Sequence, residues 1–402
     1  MTQKKLMLLG GLRYLKPVID AAHKQGCYVI TADNLPNNIA HKWSDEYCNV
    51  SIVDKEAVLQ EAKRLKINGI MSFACDPGVV AASYVQNKMG LPSFGPFESV
   101  ELLQNKDRFR AFLNKHGFNV PQSWGFASVD EAIRLINEYP WPLIVKPTDS
   151  AGSKGVKRAD KPEDLRPALE YAIQHSLSGR VIVEEYIEKR GCSSDADCMS
   201  IDGHLVYSGF NSQYFDEQAI NPYTPSAYSW PSSFTVAQES YLRGEIQRLI
   251  SLLGFRTSVF NVETRIGVDD KPYIMEFTPR GGGNRLCEMA HYISGIDMIT
   301  AITRAVVGDM IDDSIEKQPS DGYWAEIILH SDREGIFQSV EVEDNLPAVI
   351  IEKDVWVKCG DIIHSFSGAN ETIGTIILRF GDLKTMEHYI THINDWLKVV
   401  VS

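Results

Sequence analysis

The sequence predicts an α/β domain built on a parallel sheet, followed by α/β and α+β units with antiparallel strands. Three observations carry this. The chain has 402 residues, enough for two or three packed units. Up to about Gly95, short apolar strands alternate with helices over short links, the pattern of a parallel sheet with crossover helices. Farther on, apolar strand segments flank turn sites at Asp202-Gly203 and Asp269-Asp270, the pattern of hairpins.

The elements follow in order. KKLMLLGG reads as a buried strand ending in glycines, and LKPVIDAAHKQG as an amphipathic helix stopped by Gly26. CYVITAD is the next strand, SDEYCNVSIVD a short edge strand, and KEAVLQEAKRLKIN a helix. GIMSFACD and GVVAASYVQNKMG complete the first unit as strand and helix. SVELLQNKDRFRAFLNKHG reads as a helix pair or one long helix capped by Gly117. FNVPQSWGFAS (strand), VDEAIRLINEYP (helix), WPLIVKP (strand), PEDLRPALEYAIQHSL (helix) and RVIVEEYI (strand) then form a small α/β lobe, about residues 118–187. A strand–turn–strand is expected from Asp197 to Phe210. The segment 216–233, with three prolines, reads as a long polar and aromatic loop of the kind that serves as a lid. AQESYLRGEIQRLISLLG is a helix, TSVFNVETRIGVDDKPYIMEFTPR a hairpin and DMITAITRAVVG a helix. From about Asp321 onward short strands are expected, ending in one helix over LKTMEHYITHINDWLKVV.

Composition limits the function classes. A net charge of −13 argues against a nucleic-acid or membrane-surface protein. Seven scattered cysteines without a CxxC suggest a reducing compartment. The apolar patch Leu6–Leu9 is too short for a signal sequence, and no apolar run reaches the ~18 residues of a membrane span. A cytoplasmic location is expected.

The hairpin carries the first chemistry. If Asp269-Asp270 is a two-residue turn, Glu263 faces Glu276 and Asn261 faces Thr278, all four on one side of the sheet. Opposed carboxylates ~5 Å apart repel, and their neighbours are apolar. A divalent cation shared with phosphates resolves both problems. The plain alternative is a pair of acids on an exposed hairpin. Arg280 follows, then GGGN, which allows a backbone to approach a ligand closely. Upstream, VKPTDSAGSKGV places Lys146 at the end of an apolar strand, before a loop with Gly152 and Gly155. Neither GxxxxGK[ST] nor GxGxxG is present there. VIVEEYI is an apolar strand that abruptly carries Glu184 and Glu185.

Taken in order, NKDR, VKPTDSAGSKGV, VIVEEYI and VFNVET…YIMEFTPR resemble the ATP-grasp superfamily. Its members include carboxylate–amine ligases such as L-amino-acid ligases, the carbamoyl phosphate synthetase large subunit and biotin carboxylase. The resemblance implies an ATP-grasp fold: a Rossmann-like N-terminal domain (1–97), an ATP-grasp domain (98–310) with small and larger lobes, and a β-rich C-terminal subdomain (311–402). It implies ATP with Mg²⁺, or Mn²⁺ as the alternative ion. Lys106 and Lys146 resemble the phosphate lysines. Ser150, Gly152, Ser153, Lys154, Gly155 and Val156 resemble the flap over the β- and γ-phosphates. Glu184 resembles the adenine-side hinge acid, with Glu185, Tyr186 and Ile187 giving backbone contacts. Glu263 and Glu276 resemble the metal ligands, with Thr278 where the family has Asn and Asn261 as the amide that could replace it. Arg280 resembles the arginine on the transferred phosphoryl group, which with Lys146 makes the catalytic pair. Many members carry a ribose-binding Glu past the hinge; here Ser193, Ser194 or Asp195 would serve.

The implied activity is that of a ligase: a carboxylate is activated as an acyl-phosphate and passed to an amine, releasing ADP and phosphate. The alternative is a bicarbonate-using carboxylase or carbamoyl-phosphate-forming enzyme, and a non-catalytic nucleotide sensor is a third reading. Partners expected are ATP and small carboxylate and amine substrates, without nucleic acid or membrane, and with a homodimer left open.

Overall fold

The computed structural model describes residues 3–150, 154–311, 315 and 321–402. Four strands, β1 (Lys5–Leu9), β2 (Tyr28–Asp33), β3 (Glu46–Asn49) and β4 (Gly69–Ser72), form a parallel sheet in the order β3-β2-β1-β4. β1 shows no polar alternation because both of its faces are covered. Helices Lys16–Lys24 and Met298–Val306 pack on one side, Lys55–Leu65 and Val79–Met89 on the other. Helix Met298–Val306 arrives from far along the chain, and a Cβ at Gly69 would meet the Val306 carbonyl oxygen at 2.3 Å. The winding reverses between β1 and β4. This opens a crevice outside their carboxyl ends, flanked by the loops at Gly10–Tyr14 and Phe73–Asp76.

The small lobe holds β5 (Ser123–Phe126), β6 (Leu143–Pro147), β7 (Lys157–Ala159) and β8 (Val181–Glu185), in the order β5-β8-β6-β7. Helix Pro162–Gln174 covers it through Leu165, Ala168, Leu169 and Ala172. β9 (Ser194–Ile201) and β10 (His204–Ser208) turn at Asp202 and Gly203, whose φ values of 47° and 86° make the two-residue turn that suits a hairpin. β11 (Ser212–Phe215) and β12 (Pro225–Trp230) follow, then helix Val236–Leu253, opened by a Thr235/Gln238 capping box and closed by Gly254. The hairpin is β13 (Ser258–Ile266) and β14 (Pro272–Thr278), and it completes the antiparallel sheet β10-β9-β13-β14.

The last strands are β15 (Tyr323–Leu329), β16 (Gly335–Val342), β17 (Ala348–Val355), β18 (Ile362–Ile363), β19 (Gly374–Phe380) and β20 (Leu397–Val401). They build a sheet β11-β12-β15-β19-β17 and a sheet β18-β16-β20. Two strands of the five-stranded sheet precede residue 231 and three follow residue 322, so a division at 310/311 runs through a shared sheet.

Three expectations need correcting. A third of the loop foreseen at 216–233 is β12, an inner strand between β11 and β15 with Tyr228 and Ser229 fully buried. Its Ser and Pro residues conceal it. Pro225 takes the first position, where no ladder donor is needed, and the serines lie inside the fold. The final helix ends at Trp396, and LKVVV is β20, whose β-branched run pairs with β16. A helix at Leu286–Ser294, not foreseen, follows the glycine segment.

Candidate functional site

The hairpin is built differently from the two-residue turn expected for it. Val268, Asp269 and Asp270 form a three-residue loop, with Asp270 at φ 61° and the Gly267 N–H bonded to the Lys271 carbonyl at 2.9 Å. Such a loop alone would shift the register by one. A bulge at Met275 restores it, so Glu263 still pairs with Glu276 and Asn261 with Thr278. On the other face Phe260, Val262 and Phe277 enter the core, with the Phe260 and Phe277 rings stacked at 4.7 Å. That buried face fixes which side the acids take.

The neighbouring strand β9 extends the pattern. Asp195 lies across from Glu263, and Asp197 across from Asn261. One row of the sheet is therefore Asp195–Glu263–Glu276 and the next Asp197–Asn261–Thr278. Asn261 Nδ2 donates to Asp195 Oδ1 at 2.6 Å and to Asp197 Oδ1 at 3.2 Å. Asp197 also accepts from the Gly282 N–H at 2.9 Å and from Cys287 Sγ at 2.9 Å. Asp195 accepts the Tyr228 hydroxyl at 3.1 Å. Asp195 is thus held on the carboxylate row by its contacts to Asn261 and Tyr228. The Ser194 hydroxyl accepts from the Asn211 N–H at 2.9 Å, and Ser193 is buried.

Cations meet this row from three other elements. Helix Lys106–Lys115, N-capped by Asn105, sets Lys106 and Arg110 one turn apart. Lys106 Nζ is 3.3 Å from Glu276 Oε1 and 3.1 Å from the Ser150 carbonyl. Arg110 Nε donates to Glu184 Oε1 at 2.8 Å, and Lys146 Nζ lies 2.6 Å from Glu184 Oε2. Register explains the second contact: Ile144 on β6 faces Glu184 on β8, with Lys146 two residues along the same face. Arg280 is gripped by Asp76, with Nε and Nη2 both 2.7 Å from Oδ1. Asp76 stands in the loop after β4, at the crevice of the parallel sheet. Close packing requires the glycines there. A Cβ at Gly281 would fall 2.2 Å from the Phe73 ring, and one at Gly282 2.7 Å from Asn261 Nδ2.

The electrostatics follow from these neighbours. Burial, with Glu276 opposite, pushes the Glu263 carboxyl up to about 7. Burial acts on Glu276 in the same sense, but Lys106, Lys146 and Arg280 outweigh it and hold Glu276 below the ordinary carboxylate range. Burial, then Glu263 and Asp197, push Asp195 up to about 8. At Glu184 burial is outweighed by Arg110 and Lys146, and the carboxyl is held down at about 2. Burial lowers Lys146, whereas at Lys106 the Glu276 charge overcomes burial and raises it.

Lys106, Lys146, Glu263, Glu276 and Arg280 therefore share one electrostatic neighbourhood, with Asn261 and Thr278 in the adjoining row. The Glu184 side chain is enclosed by Arg110 and Lys146. The Glu185 and Tyr186 N–H groups bond the Gln122 and Pro142 carbonyls, and Arg265 bonds the Ile187 carbonyl. In the glycine loop Asp149 ties the backbone to the N–H groups of Leu177 and Ser178. Ser150, Lys154, Gly155 and Val156 are described; Gly152 and Ser153 lie outside the described residues. Sequence reasoning missed Arg110 and Asp197. Arg110 could have been found from its i+4 spacing to Lys106, and Asp197 from its shared parity with Asp195.

Among the described residues no group of three His, Cys, Asp or Glu side chains forms a metal cage. Two carboxylates, one of them with no cation bonded to it, fit instead an ion completed by a ligand's own oxygens.

Comparison with known proteins agrees with this architecture. Residues 139–288 match the family described as ATP-grasp domain. The chain is 24% identical over 229 residues to the carbamoyl phosphate synthase large chain of Ralstonia nicotianae, covering 56% of this chain and 21% of that one. It is 31% identical over 188 residues to a formate-dependent phosphoribosylglycinamide formyltransferase from Synechococcus sp., covering 46% and 48%. The chain thus spans about a fifth and about half of these two curated relatives. The fold is similar to that of the L-amino acid ligase from Bacillus licheniformis, with a TM-score of 0.80, 18% identity and 100% of both chains covered. No helix of the described residues is long and apolar enough to cross a membrane.

Proposed function

Starting from a chain that carries an ATP-grasp domain and has the ATP-grasp fold, we propose that it is an ATP-dependent ligase joining a small carboxylate to an amine. The observation that carries this reading is the meeting of the Glu263/Glu276 pair with Lys106, Lys146 and Arg280, brought from four separate segments. Opposed carboxylates at the mouth of three cations suit Mg²⁺ and polyphosphate together, and ATP supplies the phosphoryl group.

In this reading Glu263 and Glu276 hold Mg²⁺, which supplies charge neutralisation on the phosphates. Asn261 or Thr278 completes the protein's share of ligands, with the Asn261 Nδ2 already committed to Asp195 and Asp197. Lys106 and Lys146 bind phosphate oxygens, and Glu184 with Arg110 orients Lys146. The backbone groups of Glu185, Tyr186 and Ile187 that their bonds to Gln122, Pro142 and Arg265 leave over would meet the base. Ser150, Lys154, Gly155 and Val156 would belong to the cover that excludes water from the phosphates. A substrate carboxylate oxygen attacks the γ-phosphorus as the bond to the β,γ-bridging oxygen breaks, giving acyl-phosphate and ADP. The amine then attacks the acyl carbon, phosphate leaves with the bonding pair, and the nitrogen gives up a proton. Arg280, clamped by Asp76, stabilises charge on the transferred group without reorganising.

The test is phosphate release with Mg-ATP across a panel of carboxylate and amine pairs, with a bicarbonate arm. Release that needs both a carboxylate and an amine is the expected result. Release with bicarbonate alone would instead favour the carboxylase reading, and no release with any member would overturn the ligase reading. In the active pair, Asp76→Asn is expected to lower kcat about tenfold while leaving ATP affinity unchanged, because Arg280 loses its clamp but not its charge.

A further inference from the structure

Glu326, in the middle of β15, is fully buried, and neither carboxylate oxygen has a hydrogen-bond partner. Its surroundings explain why this is unusual. Across the sheet, Tyr228, Glu326, Ile377 and Glu352 stand in one row, so Tyr228 and Glu352 share its face. The nearby cation is Arg285, and it is already engaged. Its Nη1 donates to Glu352 at 2.8 Å and to Thr375 Oγ1 at 3.1 Å, and its Nη2 to Glu288 at 2.9 Å and Glu352 at 3.0 Å. Three carboxylates thus surround one guanidinium. The contrast with Glu184 is direct: that equally buried carboxylate has a cation on each oxygen.

The position of this carboxylate is as informative as its isolation. Tyr228 is its immediate cross-strand neighbour, and the Tyr228 hydroxyl joins the carboxylate row through Asp195. Asn284 Nδ2 donates to that hydroxyl at 3.1 Å, and the Tyr14 hydroxyl donates to Asn284 Oδ1 at 3.1 Å. Tyr14 and Asn284 are partly exposed in the crevice of the parallel sheet. Burial raises the Tyr14 phenol, and the nearby Glu326 adds to it in the same sense. Hydrogen bonds among Tyr14, Asn284, Tyr228 and Asp195 therefore link the crevice to the carboxylate row, and the Glu326 carboxyl, pushed well above its ordinary range by burial, stands beside Tyr228 without a partner.

We propose that Glu326 marks a subsite for an ammonium group, and that the amine substrate carries a second, non-reacting ammonium, as a small aliphatic diamine does. The inference rests on the ligase reading above. An ammonium supplies three donors and one positive charge, which is what Glu326 lacks. A nitrogen paired with a buried carboxylate keeps its proton and cannot attack an acyl carbon, so the reacting amine is the other end of the molecule, toward Arg280. Tyr14, partly exposed and bonded to Asn284, is the side chain that must move to admit it.

The test uses thermal shift on the full chain with 1,4-diaminobutane, 1-butylamine and 1-butanol as probes, comparing wild type with Glu326→Gln. The diamine is expected to raise the wild-type melting temperature saturably, with apparent affinity weakened at least about tenfold in Glu326→Gln, and butanol to have no effect. Without probe, Glu326→Gln is expected to melt above wild type, because an unpartnered carboxylate has been removed. Glu326→Leu gives the same two readouts should the amide introduce a bond of its own. The idea is overturned if the diamine shifts neither protein, or shifts both alike. Mg-ATP stabilisation, measured alongside, must be equal in the variants. Its absence in wild type would strike at the ligase reading, whereas its presence with an unchanged diamine response strikes only at the subsite.

Discussion

Glu276→Gln is expected to lower Mg-ATP turnover on the order of 10³-fold, because it removes one of two opposed carboxylates and the anionic partner of Lys106 together. Steady-state phosphate release measures the loss, and a Glu276→Gln enzyme with wild-type turnover would remove the metal role from this pair. Glu263→Gln is expected to lose turnover similarly but to gain stability in metal-free buffer. The sign follows from proton uptake. The Glu263 carboxyl is pushed from 4.5 up to about 7 by burial and by Glu276. The folded protein therefore binds a proton that the unfolded chain has released between those two values. Stability falls as pH rises through that window, and the advantage of Glu263→Gln over wild type grows from none near pH 4.5 to its full size above 7. Glu263 lies deep among protein atoms but still reaches the water of the open cleft, so screening keeps the gain below the unscreened linkage value. Paired melts at pH 5 and pH 8, with chelator present, check the direction.

The second large effect is on the small lobe. Glu184→Gln leaves Arg110 and Lys146 facing each other without an anion in a site where the Arg110 and Glu184 side chains are only 1% and 2% exposed. Breaking a buried pair in this way costs roughly 3–5 kcal/mol. The strain is greater here because Arg110 Nη1 and Nη2 already lack partners and only Nε is bonded. The pH dependence has the opposite sign to that of Glu263. The Glu184 carboxyl is held down at about 2, below its ordinary 4.5, because Arg110 and Lys146 outweigh burial. Its contribution, ~3 kcal/mol on that shift, is complete above pH 4.5 and disappears as pH falls through 4.5 toward 2. Glu184→Gln should therefore unfold earlier than wild type at pH 7 and approach it near pH 2. ATP affinity should fall as well, since Lys146 loses the contact that aims it. A variant with wild-type denaturation at pH 7 would show that the triad contributes nothing to holding the lobe together.

How much of this was legible in the sequence depended on range. Periodicity of two told that Glu263 and Glu276 share a side, and the apolar neighbours told which side is core. The turn was misjudged because a three-residue loop and a bulge at Met275 cancel, and neither has a hydrophobic signature. β12 was hidden by its composition: Ser226, Ala227, Tyr228 and Ser229 are buried through pairing with β11 and β15, whose partner strand β15 begins almost a hundred residues later. The same distance hid Glu326. Nothing in YWAEIIL says that its one acid faces inward without a cation.

The sequence by itself determined the local chemistry: which strands carry acids among apolar residues, where a lysine precedes a glycine loop, and where glycines permit close approach. Those features arise from the backbone geometry of neighbouring residues. Tertiary structure alone decided which charges meet. The Lys106–Glu276 contact closes 170 residues of chain and Arg280–Asp76 closes 204. Such pairings are set by how whole sheets and helices pack, and no spacing along the chain encodes them. The same packing bonds two cations to Glu184 and none to Glu326.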